Sequence, residues 1–289
     1  MKDLVIQGAL SDEALDTFKV VGTPERIVLG GTAARCIAID DNAETRKAVR
    51  ALADYWKLDA AFVEPGLKFA NFRVLALDMD STLINIECVD EIARWAGRGE
   101  EVAAITEAAM RGEIADYKES LRLRVGLLAG VEASALQHVY DNKLRLNPGA
   151  ERLLAAARQV GMKTLLVSGG FTYFTDRLQQ RLGFDATRSN EIEVADGKLT
   201  GRVTGPGGGE IVDADGKAQA LRDLCAQIGC GTAAAIALGD GANDLKMMKL
   251  AGISVAYRAK PVVQQQATYA LNHSGLDGVL NWFAETVSG

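Results

Sequence analysis

The chain has 289 residues, enough for one large or two unequal domains with their own cores. At 48% hydrophobic and 24% charged it reads as an ordinary soluble protein, with no apolar run near the roughly 18 residues of a membrane span. A net charge of −6 without a basic block argues against nucleic acid as the main partner, and the early acids of "MKDLVIQGALSDE" argue against a signal peptide.

In residues 1–70, "LVIQGAL" reads as a strand, and "SDEALDTFKVVG" as a helix capped by Ser11 or Asp12. "RIVL", the turn "GGTA" and "RCIAID" read as a hairpin. "NAETRKAVRALADYWKLD" reads as a helix capped by Asn42, and "AAFVEPG" as a last strand. The order βαββαβ sets two helices on one face of an antiparallel sheet. On that pattern alone the unit resembles the ferredoxin-like ACT regulatory domain. No ligand motif accompanies it.

From residue 71 the pattern becomes α/β. Non-alternating apolar runs, "RVLALDMDST", "KTLLVSGGF", "AAAIALGDGAND" and "GISVAY", alternate with amphipathic segments such as "NPGAERLLAAARQVG" and "GKAQALRDLCAQIG". Such runs indicate a parallel sheet covered on both faces, with ligands beyond the carboxyl ends of its strands. Two insertions are expected. Residues 87–146 read as a helical cap, and residues 190–213 as a small β flap around the Asp196-Gly197 turn. The four cysteines form no CxxC pair and there are only two histidines, so a zinc site or disulfide framework is not expected. Thiols in a reducing, cytoplasmic setting are the plain reading.

Asp78 and Asp80 end the first apolar run, and Asp240 ends a later one. One aspartate after a strand is an ordinary turn residue. Three at one sheet edge repel unless a cation joins them, and Mg²⁺ suits carboxylates, a carbonyl and waters. A carboxylate beside Mg²⁺ can attack phosphorus while its neighbour moves the proton. Ser168, Gly169 and Gly170 offer a hydroxyl and amides at a helix entrance, a pattern equally readable as an N-cap with a flexible turn. Lys217, near a helix N-terminus, reads by itself as a solvated lysine; its unfavourable place on the helix dipole hints at an anion.

"DMDST", "VSGG", Lys217 and "GDGAND" stand in the order of the four motifs of haloacid-dehalogenase-type phosphatases. "NIECVDEIA", "SLRLRV" and "VSGGF" resemble the phosphoserine phosphatase branch. The resemblance implies a Rossmann-like parallel sheet with a helical C1-type cap. It implies Asp78 as nucleophile and Asp80 as general acid and base, with one Mg²⁺ on Asp78, Asp80 (through its carbonyl) and Asp240. Ser168, the Gly169 amide and Lys217 would hold the phosphoryl oxygens, Asn243 would contact substrate, and Asp244 would orient Lys217 or a metal-bound water.

As a helix, "DYKESLRLRVGLL" puts Tyr117, Leu121, Val125 and Leu128 on one face, with Arg124 inside it. Such an arginine snorkels, or finds a structural acid, or binds a ligand carboxylate. Glu87, at the start of the cap, either favours the helix dipole or accepts an ammonium. The family gives these positions the carboxylate and amine of an amino acid, and places Met110 and Tyr117 along the substrate wall. Phosphoserine hydrolysis is the expected activity on this small-molecule substrate. The rivals are transfer of the phosphoryl group to another amino-acid alcohol such as homoserine, and a non-catalytic amino-acid sensor. Oligomeric state is not readable, a homodimer being compatible with the chain.

Overall fold

The structure, a computed structural model, describes residues 1–21, 33–111, 113–114 and 116–283, the side chain of Met110 excepted. The "RIVL" strand and most of its turn lie outside these residues.

Strands β1 (Lys2–Gln7), β2 (Ala33–Ile39) and β3 (Asp59–Val63) form an antiparallel sheet in the order β2-β1-β3. Helix α1 (Asp12–Phe18) starts where the Ser11 hydroxyl accepts from the Ala14 amide at 3.1 Å. Helix α2 (Ala43–Trp56) starts where Asn42 accepts from the Thr45 amide at 2.9 Å. The pleat sends Leu4, Ile6 and Phe62 toward Phe18, Val49 and Ala53 of these helices. Their neighbours Val5, Ala61 and Val63 belong to the main core, with Phe69, Phe72 and Phe283. Both faces of this small sheet are therefore covered.

The chain continues as β4 (Val74–Asp78), α3 (Cys88–Trp95), α4 (Gly99–Met110), α5 (Tyr117–Gly126), α6 (Ser134–Asn142) and α7 (Ala150–Gln159). There follow β5 (Lys163–Phe171), α8 (Thr172–Leu182), β6 (Ala186–Ala195), β7 (Lys198–Thr204) and α9 (Ala214–Gln227). The last elements are β8 (Ala235–Gly239), α10 (Leu245–Leu250), β9 (Ile253–Tyr257), α11 (Pro261–Gln264) and β10 (Tyr269–Leu271). The seven strands lie in the order β10-β9-β8-β4-β5-β6-β7, and only β6 and β7 pair antiparallel. The chain leaves β4 toward β5 and later returns to β8 on its other side. That makes the tip of β4 the topological switch point, where α/β sheets open a crevice.

Every residue of β4 is buried. Leu75 and Leu77 face Leu153 and Leu154 of α7 and Phe174 of α8, while Val74 and Ala76 face Leu221 of α9 and Met247 of α10. The α/β class with a mainly parallel sheet is therefore borne out.

Two features refine the expectation. Strand β6 begins four residues before the expected flap and pairs in parallel with β5 (Leu165↔Ala186), so the flap grows out of the core sheet. Asp196 (φ 49°) and Gly197 (φ 76°) are both left-handed, as a two-residue hairpin turn requires. The cap helices α3–α6 leave and rejoin the core through an isolated bridge, Ile84↔Leu146. Flap and cap also meet: the Gly130 amide donates to the Leu199 carbonyl and the Leu199 amide to the Val131 carbonyl, each at 2.8 Å.

Candidate active site

Strand register brings the polar motifs together. Asp78 pairs with Val167 and Leu77 with Leu238, so Ser168 and Gly239-Asp240 leave the sheet beside Asp78. Lys217 arrives from α9, whose cap Asp213 accepts from the Gly216 amide at 2.9 Å.

The Lys217 side chain is wholly buried, and its ammonium donates to Asp78 Oδ1 and, at 2.6 Å, to Asp244 Oδ1. Burial opposes that charge, but Asp244 and Asp78 outweigh it and raise the lysine above its ordinary value. Asp78 is pushed well above the usual carboxylate range by burial and by Asp244, with Lys217 pulling the other way. The Asp244 side chain fits because residue 239 is glycine: a Cβ there would lie 2.4 Å from the Asp244 carboxyl carbon. Its other oxygen accepts from the Gly241 amide at 3.0 Å.

Asp80 turns toward the cap and the second motif. Its Oδ1 accepts from the Cys88 amide at 2.9 Å and its Oδ2 from the Ser168 hydroxyl at 3.1 Å. Burial raises it, against these hydrogen bonds. Ser81, with φ 57°, turns the chain between Asp80 and the buried Thr82. Thr82 Oγ1 donates to Asp240 Oδ1 at 3.1 Å.

The β5–β6 ladder slips after Val167, taking residues 168–170 out of regular pairing. The Gly170 amide donates to Ser168 Oγ at 2.8 Å and so holds that hydroxyl within the loop. Its missing side chain matters as well, because a Cβ would lie 2.8 Å from Asp80 Oδ2. The buried Asn190 donates from Nδ2 to the Gly169 carbonyl at 2.8 Å and accepts at Oδ1 from the Val212 amide at 2.7 Å. It ties the Ser168 loop to the segment leading into Lys217. Nothing in "RSNEIEV" marks it, and neither Asn190 nor Thr82 was singled out from the sequence.

Carboxylate oxygens of Asp78, Asp240 and Asp244 lie within 4.8 Å of one another, a set able to hold a metal ion. Asp244 contributes a carboxylate to this group where the sequence pointed to Asp80. The Lys217 ammonium acts on four carboxylates here, Asp78, Asp80, Asp240 and Asp244, and an all-oxygen, anion-rich cup suits a hard divalent cation. Burial and the Asp244 charge lift Asp240 to about 6.

From the cap side, Glu87 opens to solvent along the crevice and accepts from the Ser81 hydroxyl at 2.6 Å. The surrounding protein and the Asp80 charge push it up to about 8. Arg124 is half-buried beside the buried Leu121 and Val125 of α5. Its Nε donates to the Ser120 carbonyl at 3.4 Å, and no carboxylate among the described residues forms an ion pair with it. Asn243 is half-buried, with Oδ1 placed 2.3 Å from where a Cβ on Gly241 would stand. Tyr117 reaches down onto Gly169 and is raised to about 12 by burial. Met110 lies at the end of α4, its side chain outside the described residues.

The haloacid dehalogenase-like hydrolase family model matches residues 75–249. A phosphoserine phosphatase from Polaromonas sp. is 60% identical over 216 residues, which cover 75% of this chain and 92% of that protein. One from Haemophilus influenzae is 47% identical over 224 residues, covering 78% of this chain and 69% of that protein. Among solved structures, a probable phosphoserine phosphatase from Vibrio cholerae superposes with a TM-score of 0.82 at 36% identity, over 99% of this chain and 87% of that one. A HAD-family hydrolase from Salmonella enterica serovar Typhi gives 0.87 at 32% identity, over 99% and 100%. A sheet whose switch point gathers Asp78, Ser168, Lys217 and Asp240, with these likenesses over most of its length, places the chain in the haloacid dehalogenase-like hydrolase family.

Proposed function

We propose that this chain is a phosphoserine phosphatase, hydrolysing O-phosphoserine to serine and phosphate as the last step of serine formation. The observation that carries the reading is an anion-rich phosphoryl cup with Glu87 and Arg124 on the cap side, the arginine forming no ion pair among the described residues. The relatives that share the name support it.

In this reading Asp78 attacks phosphorus and Asp80 gives its proton to the departing seryl oxygen, forming a phosphorylated aspartate as the P–O bond to serine breaks. Asp80, now ionised, then takes a proton from the water that attacks phosphorus and frees Asp78. Ser168, the Gly169 amide and Lys217 hold the phosphoryl oxygens, with Asn243 beside them. Asp244 keeps Lys217 aimed and charged. Asp78, Asp240 and the Asp80 carbonyl would hold Mg²⁺, which when bound screens the charge between nucleophile and phosphate. Glu87 takes the substrate ammonium and Arg124 its carboxylate, with Met110 and Tyr117 as walls. The organisation is residues 1–70 as an ACT-like unit and residues 71–289 as the catalytic unit, with cap 87–146 and flap 190–213. No described helix is long and apolar enough to cross a membrane, and four cysteines without a disulfide fit a reducing cytoplasm.

The test is phosphate release from O-phosphoserine. Turnover is expected with Mg²⁺, and loss of it with EDTA or in Asp78→Asn. Sustained turnover by Asp78→Asn would defeat the nucleophile assignment.

A further inference from the structure

The expectation for Tyr117 concerns only its ring, as part of a wall. The phenolic oxygen raises a separate matter. It lies 1.8 Å from the position that a Cβ on residue 169 would occupy, so it rests directly on the backbone of Gly169, and only glycine there permits it. The ring packs against the main core, and the hydroxyl makes no hydrogen bond among the described residues. Gly169 directly follows Ser168, whose hydroxyl donates to Asp80, so the phenol lies beside the loop that carries the phosphoryl donors.

Tyr117 is half-buried, and its hydroxyl is left as a donor that no protein group among the described residues uses. A phenylalanine would supply the same wall without that donor. A phosphoryl oxygen held by the neighbouring Gly169 amide is an acceptor suited to it. Helix geometry adds to this. Arg124 follows Tyr117 by seven residues, two turns along α5 and on nearly the same side. One helix thus offers a neutral donor at the phosphoryl end of the crevice and a cation at the other.

We propose that the Tyr117 hydroxyl is a further substrate-binding group: it donates a hydrogen bond to a phosphoryl oxygen, beside Ser168, the Gly169 amide and Lys217. The assignment rests on the phosphatase reading, and it adds a contact from the cap to the phosphoryl group itself. The cap thereby contributes to the phosphoryl site as well as covering it.

Tyr117→Phe keeps the ring and removes only the oxygen. With Mg²⁺ present, kcat/KM for O-phosphoserine should fall about tenfold or more, the scale of one lost hydrogen bond to a charged group. The inhibition constant of inorganic phosphate should rise, while that of L-serine, which lacks the phosphoryl group, should hold. The melting temperature should stay near that of the wild type. A variant within roughly threefold of wild-type kcat/KM would show the hydroxyl to be a bystander. One that binds phosphate more tightly would show that it obstructs the cup; either result overturns the proposal. Absence of phosphoserine turnover in the wild type would instead overturn the phosphatase reading, so the two failures are distinguishable.

Discussion

A lysine in the first turn of a helix is ordinarily a solvated cation on the wrong end of the dipole. At position 217 the side chain is buried and its ammonium lies between Asp78 and Asp244. Lys217→Met therefore leaves two buried carboxylates without a counter-charge. Phosphatase activity should fall at least about 100-fold, as for loss of an electrostatic stabiliser, and thermal stability in EDTA should drop; wild-type activity would remove Lys217 from the site. Asn190 is the opposite case, a residue with no legible signal. Its partners are a carbonyl and an amide 21 and 22 residues away in the chain, and backbone atoms leave no trace in a sequence. Asn190→Ala strands both, at about 1–3 kcal/mol for each buried group. It should lower kcat as well as stability, because the carbonyl it holds belongs to Gly169. A loss of stability with kcat unchanged would make Asn190 purely structural. The acids were legible for a simple reason: Asp78 and Asp240 interrupt apolar runs, where burial demands a counter-ion.

Elements differ in legibility in the same way. Strands β4, β5, β8 and β9 are buried apolar runs, whereas β6 starts in the polar "ATRSN" and β10 is only three residues long, so neither stands out by periodicity. The cap helix α5 could be read because Leu121 and Val125 mark its buried side, which leaves Arg124 as the anomaly. If Arg124 and Glu87 grip the amino-acid end of the substrate, alanine at either position should weaken phosphoserine turnover much more than turnover of a simple aryl phosphate. Equal losses on both substrates would end that assignment. The strand-tip acids make a second, pH-dependent prediction. Asp240, at about 6, and Glu87, at about 8, bind protons more tightly in the folded chain than their ordinary values allow. For acids raised in this way the folded state carries the extra protons, so stability falls as pH rises from about 4.5 toward 8. A divalent cation needs the ionised acids and offsets that loss. The Mg²⁺-induced rise in melting temperature should thus be small at pH 5 and grow between pH 5 and 7. A shift independent of pH would place the ion elsewhere.

At the scale of the molecule, the N-terminal unit is tied to the segment that closes the core, across more than 200 residues of chain. The buried Asp59 accepts from three consecutive amides: Asn272 at 2.6 Å, His273 at 3.1 Å and Ser274 at 2.7 Å. Arg35 pairs with Asp3 at 3.0 Å and donates to the carbonyls of Asn281 and Phe283 at 2.8 and 3.0 Å. Asn281 in turn donates to Gln7 Oε1 at 2.6 Å. Behind these bonds Val5, Ala61 and Val63 share one apolar core with Phe69, Phe72 and Phe283. Such an interface favours melting of the whole chain in one transition, since separating the units would expose that core and orphan the amides of 272–274. Asp59→Ala removes the carboxylate and nothing from the catalytic crevice. It should cost about 2–4 kcal/mol, the scale of several orphaned buried amides, and lower the melting temperature equally with and without Mg²⁺. Phosphoserine turnover at 25 °C should be kept. An unchanged melting temperature would mean that the amides find water as readily as they find Asp59, and that the two units are held by apolar contact alone.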